Sequence, residues 1–193
     1  MDLDHTRTAG REEPGVSGTL FQRVLGAAWH TLPAPVQALH CVDRKVSFSG
    51  RATVERGGGW LARLIAGAIR FPAAGRDVPI TVSVAPHALG ESWNRTFSGR
   101  ALPSEMSQGS GRSKHLLHER FGPFTCHIAL LADGGKLRFT VRGWNIGPLP
   151  LPRRWAPGGD SYEYADGERF GFHIEVRHPL AGLIVRYVGW LAV

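Results

Sequence analysis

The chain predicts a mainly β domain with helical cover. About ten strands form an antiparallel barrel or a strongly curved sheet, with one helix after the first strand and a helical segment at the N-terminus. Three observations carry this expectation. From Val78 onward, apolar residues alternate with polar ones in short runs, the period that gives a strand one face on a core. Short glycine-containing turns join the runs, so successive strands pair antiparallel. Only two stretches, one near the N-terminus and one around Trp60 to Arg70, recur at the three- and four-residue spacing of a helix.

Residues 1–18 are polar, rich in Gly, Glu and Arg, and without periodicity, which predicts a disordered tail. Residues 19–193 form one domain. Leu20, Phe21, Val24, Leu25 and Ala28 then follow a helical period until Pro33 and Pro35, and Val36 to His40 adds a short turn. In Lys45 to Arg56, Val46, Phe48, Ala52 and Val54 share one strand face, with Gly50 as a bend. Gly57-Gly58-Gly59 breaks the chain before a helix with Trp60, Leu61, Leu64, Ile65, Ala68 and Ile69 on its stripe.

The remaining strands are read at Val78–Val84, Trp93–Phe97, Arg100–Met106, His115–Phe121, Phe124–Leu131, Leu137–Arg142, Ser161–Tyr164, Glu168–Arg177 and Leu183–Leu191. Pro79 suggests an edge or a strand start. Gly122-Pro123 is a tight hairpin; pairing Phe121 with Phe124 sets Glu119 opposite Cys126 and His118 opposite His127. Between Gly143 and Gly159 four prolines and two tryptophans suggest a rim or lid that cannot continue a ladder.

The net charge of +7 attracts polyanions at low salt, but the basic residues are spread singly and only Arg153-Arg154 are adjacent. No specific nucleic-acid binding is expected. The apolar runs Trp60–Ile69 and Leu180–Val193 are too short to span a bilayer and each contains an arginine, so no membrane span is expected. Cys41 and Cys126 fit no metal spacing and read as free thiols of a cytoplasmic protein.

No cofactor is expected. The glycine run lacks the Lys-Ser/Thr of a phosphate loop and the spacing of a dinucleotide fingerprint. No metal is expected either: His115 and His118 point to opposite strand faces, and His118 with His127 supplies only two ligands. No Gly-x-Ser-x-Gly elbow occurs, and Ser104 has no identifiable base.

Several stretches together carry a resemblance: Leu20–Gly26, Trp93–Phe97, Glu119–Pro123, Leu149–Pro152 and Pro179–Leu191. From Leu20 to the C-terminus the chain resembles the bacterial family catalogued as domain of unknown function 4166. In that family the domain occurs alone or behind an NAD(P)-binding domain resembling saccharopine dehydrogenase, which implies a possible NAD(P)-dependent oxidoreductase partner. The resemblance brings no catalytic residues.

The chemistry is expected where charge meets an apolar face. Trp93, Arg95 and Phe97 share one side of a strand, and Glu119 interrupts the apolar stripe of the Gly122 hairpin near Phe121. Arg186 and Tyr187 lie on a last strand that is apolar on both sides, so its facing is ambiguous. A buried charge must pair, reach water or meet a ligand. Two readings follow: an Arg95–Glu119 ion pair that fixes register, or a pocket in which arginine anchors the anionic end of an apolar molecule. Trp93, Phe97, Phe121 and Tyr187 would be its walls. The expected function is therefore binding of a small apolar or amphipathic molecule in a β-sheet cavity. The alternatives are an enzyme of cyclase or isomerase type using Glu119 as acid–base, and an interaction module docking onto an oxidoreductase.

Overall fold

The computed structural model describes residues 18–193. The reading of residues 1–18 as a disordered tail falls, but for Gly18, outside the described residues. The chain forms helices α1 (Leu20–Leu25), α2 (Ala34–His40) and α3 (Trp60–Ala68). Its long strands are β1 (Val46–Arg56), β2 (Gly75–His87), β3 (Gly90–Phe97), β4 (Arg100–Gln108), β5 (Leu117–Phe121), β6 (Phe124–Asp133), β7 (Lys136–Ile146), β8 (Ser161–Asp166), β9 (Arg169–His178) and β10 (Gly182–Leu191).

Every strand pairs antiparallel with its chain neighbour, and β1 also pairs with β10. The ten strands therefore close into a barrel. Closure removes the long edge strands of an open sheet, although the ladder is short where Glu105–Gln108 of β4 meets β5 and where Lys136–Phe139 of β7 meets β8. Gly50 makes the β1–β10 seam possible: a Cβ there would lie 1.8 Å from the Trp190 carbonyl oxygen.

The hairpin register follows the alternation: Phe121 pairs with Phe124, Glu119 with Cys126 and His118 with His127. Other details differ from expectation. The first helical stretch is not one helix; Gly26, at φ +57°, ends α1, and Gly26–Thr31 continues as a 3-10 turn. Pro79 sits inside a strand of a closed sheet. It is tolerated on the β3 side because the β2–β3 ladder begins only at Ile80, while on the β1 side it lies opposite Arg51. The proline-rich stretch does extend the ladder: β7 runs to Ile146, and Leu149–Pro150 folds back to pair with it.

The two ends of the barrel differ. At the end where β1 begins and β10 finishes, α1, the 3-10 turn and α2 plug the opening, and Phe21, Leu39, Val84, Leu117, Leu137 and Leu191 are fully buried. At the opposite end the cover is partial. There α3 packs beside β10, and its Ile65 lines the opening together with Phe121, Phe124 and Pro157. Inward residues near that end, Phe121, Phe124, Phe139, Val141, Ile174 and Val176, are only half-buried because they face open space. Closed floor and open mouth define a cup.

Candidate functional site

The cup holds a cavity of about 350 Å³. Its walls come from nearly every strand, including Ile80, Val82, Phe121, Ile128, Phe172 and Ile174, with Ile65 and Ile69 of α3 and Phe71 at the mouth. Pro157, Gly158, Gly159 and Trp144 also line it, so the proline-rich stretch does contribute to the rim. At the roughly 30 Å³ a water-sized group occupies, the space takes on the order of a dozen non-hydrogen atoms.

One polar cluster interrupts the apolar wall. On β3 the strand period sets Glu91, Trp93, Arg95 and Phe97 on the inner face in ascending order from the floor. Arg95 donates from Nη2 to Glu119 Oε1 at 2.9 Å and from Nη1 to Ser104 Oγ at 2.8 Å. Ser104 donates to the same Oε1 at 2.8 Å, closing a three-membered ring across β3, β4 and β5. The guanidinium also lies 5.1 Å from the centre of the Trp93 ring. Both Nη atoms of Arg95 are thus engaged, and its charge is balanced within the wall. Glu119 Oε2 has no hydrogen-bond partner among the described residues.

Tyr187 faces the same space, its ring edge-on to Phe97 at 5.2 Å. Burial pushes its phenol up to about 12, with the Glu119 and Glu163 carboxylates adding and Arg95 opposing. Its hydroxyl accepts and donates no hydrogen bond among the described residues. Cys126, beside Glu119, has its thiol raised to about 12 by burial and by that carboxylate, so it stays protonated and unreactive.

A second polar pair forms the floor. His40, at the end of α2, meets Glu163 of β8, Nε2 to Oε2 at 2.6 Å, while its ring stacks on Phe21 at 3.7 Å. Both residues line the cavity. Glu91 lies below, accepting a 2.9 Å bond from the Trp93 indole; burial pushes its carboxyl above the ordinary carboxylate range, against that bond and nearby His40 and Arg23.

Of the residues singled out from the sequence, Trp93, Arg95, Glu119, Phe121 and Tyr187 line this one cavity. Phe97 is fully packed and touches Tyr187 from behind. Arg186 is elsewhere: it lies on the outer face, paired with Glu55 and, at 3.5 Å, with Glu175. Cross-strand partners decide that facing, since both are carboxylates on the outside of β1 and β9. His118 and His127 stack at 4.3 Å away from the cavity lining, and among the described residues no group of three or more metal-ligating side chains occurs.

Sequence reasoning missed His40, Glu163 and Glu91. For His40 and Glu91 a burial signal was present. His40 continues the buried helical stripe of Val36 and Leu39, and Glu91 precedes Trp93 by one strand period.

Fold and site define a closed antiparallel β-barrel of ten strands with a plugged floor and an apolar internal cavity. The chain belongs to the family described as Domain of unknown function (DUF4166), whose profile matches residues 32–191. Searches of curated proteins and of solved structures each return no match. Among the described residues no helix is long and apolar enough to cross a membrane.

Proposed function

We propose that the barrel binds a small apolar or amphipathic molecule in the cup, working in the cytoplasm, where its two unlinked cysteines stay reduced. One observation carries this reading: an apolar cavity of about 350 Å³ contains a single mid-wall polar cluster with an unused carboxylate oxygen. Most ligand pockets combine apolar walls with a few placed polar groups in this way. Because Arg95 is already matched by Glu119, the polar end that suits the site is a neutral hydrogen-bond donor such as a hydroxyl, rather than a carboxylate. The hydroxyl would donate a hydrogen bond to Glu119 Oε2, with Tyr187 as a second polar contact.

The test is uptake of an environment-sensitive apolar fluorophore by the purified, solvent-extracted protein, with native mass spectrometry of the unextracted protein. Stoichiometric uptake that Val141→Phe reduces about tenfold, with the fold retained by circular dichroism, supports the reading. Uptake unaffected by Val141→Phe counts against it.

A second reading, an enzyme using Glu119 as general base, draws on the same open Oε2. Glu119→Gln separates the two: a base requires loss of turnover with binding kept.

A further inference from the structure

Nine large apolar side chains are exposed among the described residues, and six of them, Trp60, Leu64, Ile146, Leu149, Trp155 and Leu180, lie at the mouth end. Their placement follows from topology. Trp60 and Leu64 are one turn apart on α3, whose other side sends Ile65 and Ile69 into the cavity, so this helix is apolar toward both cup and solvent. Ile146 and Leu149 flank Gly147, whose amide bonds the Pro123 carbonyl in the β5–β6 turn at 2.8 Å. Trp155 ends the short 3-10 turn that follows, and Leu180 sits in the β9–β10 turn. The opposite end exposes Leu89 in the β2–β3 turn, Leu131 near the end of β6 and Val193 beyond β10, each on a separate segment.

Arginines interleave with this ring. Arg63 lies on α3, Arg70 just beyond it, Arg100 at the first position of β4, and Arg153 and Arg154 beside Trp155; all five are exposed. Arg154 stacks 4.9 Å from the Trp155 ring. None of the five has a carboxylate partner among the described residues. The nearby carboxylates Glu55, Asp77, Asp160 and Glu175 are already matched by Arg186, Arg51, Arg138 and Arg177. The rim is therefore both apolar and net positive.

Exposed indoles and leucines beside unmatched arginines suit the boundary of an anionic bilayer, where indole rings sit at headgroup depth. Each basic residue near such a surface adds to the attraction. A protein partner would be better served by one contiguous patch; these side chains instead project from separate segments around an opening. We infer that the mouth end docks on anionic lipid bilayers. Trp60, Leu64 and Trp155 enter the headgroup region, Arg63, Arg70, Arg100, Arg153 and Arg154 meet lipid phosphates, and the cavity opens onto the membrane. Docking goes beyond the carrier reading and stands or falls separately from it.

The experiment is co-sedimentation of the full chain with phosphatidylcholine vesicles, with and without phosphatidylglycerol as a third of the lipid, alongside fluorophore uptake. Expected is binding only with phosphatidylglycerol, accompanied by a blue shift of tryptophan emission. Trp60→Ala/Leu64→Ala and Arg153→Glu/Arg154→Glu each weaken it about tenfold or more, whereas Leu89→Ala/Leu131→Ala leaves it unchanged. Absence of binding to the anionic vesicles overturns the inference. So does binding that is indifferent to the Trp60/Leu64 pair, since that is bulk electrostatic attraction. Vesicle binding without fluorophore uptake supports docking while removing the carrier reading.

Discussion

The imidazole of His40 and the carboxylate of Glu163 meet at 2.6 Å although 123 residues separate them in the chain. The contact ties the last turn of α2 to β8 and holds the plug against the barrel floor. His40 is 1% exposed, so removing either partner strands a polar group among Phe21, Trp93 and Phe170. His40→Ala should cost about 3 kcal/mol in urea unfolding, and Glu163→Gln, which keeps an acceptor, about 1 kcal/mol. Equal small losses for both would show that the plug is held by Phe21 and Leu39 alone.

The Arg95–Glu119 pair predicts a strongly non-additive cycle. Both side chains are 13% exposed, so Arg95→Met leaves a nearly buried carboxylate short of its cation. Each single substitution, Arg95→Met and Glu119→Leu, should lose about 3 kcal/mol, while the double variant lies within about 1 kcal/mol of the parent. Additive losses in chemical denaturation would mean that the pair is not an energetic unit.

Glu91 sets a pH dependence. Burial raises its native pKa, so the folded state binds more protons than the unfolded state between the ordinary carboxylate value and the raised one. Stability contributed by the protonated group is present below that window and is lost as pH rises through it. Glu91→Gln should flatten this fall, and the variant should gain on the parent toward neutral pH. Parallel stability–pH profiles for the two proteins would refute the assignment.

The two thiols should react very differently. Cys41 is exposed, whereas a Cys126 thiol near 12 is ionised at pH 8 to roughly one part in ten thousand. One rapid equivalent with a thiol reagent is expected in the folded protein, abolished by Cys41→Ser, and two after denaturation. Two fast equivalents in the native state would contradict the burial of Cys126.

Local pattern carried much of the fold. Alternation fixed the inner face of Trp93, Arg95 and Phe97, and the Gly122-Pro123 turn fixed the register that sets Glu119 opposite Cys126. Two features were not local. Closure depends on the β1–β10 pairing, which joins residues 50–56 to residues 185–191 and leaves no short-range trace. Arg186 sat on a strand apolar on both sides, so period alone gave no facing; its carboxylate partners lie on β1 and β9. His40 and Glu163 escaped for the same reason, since an imidazole on a helix stripe and a glutamate in a distant strand declare a contact only once the barrel has closed.

Both described termini lie beneath the plugged floor: Gly18 leads directly into α1, and the Ala192 amide bonds the Ser49 carbonyl at the start of β1. Val193 lies a full strand length, roughly 30 Å, from the opening. A label, a solid support or a fused domain joined at Val193 through a short leash leaves the cup facing outward, so immobilisation at that end presents the mouth to solution unobstructed.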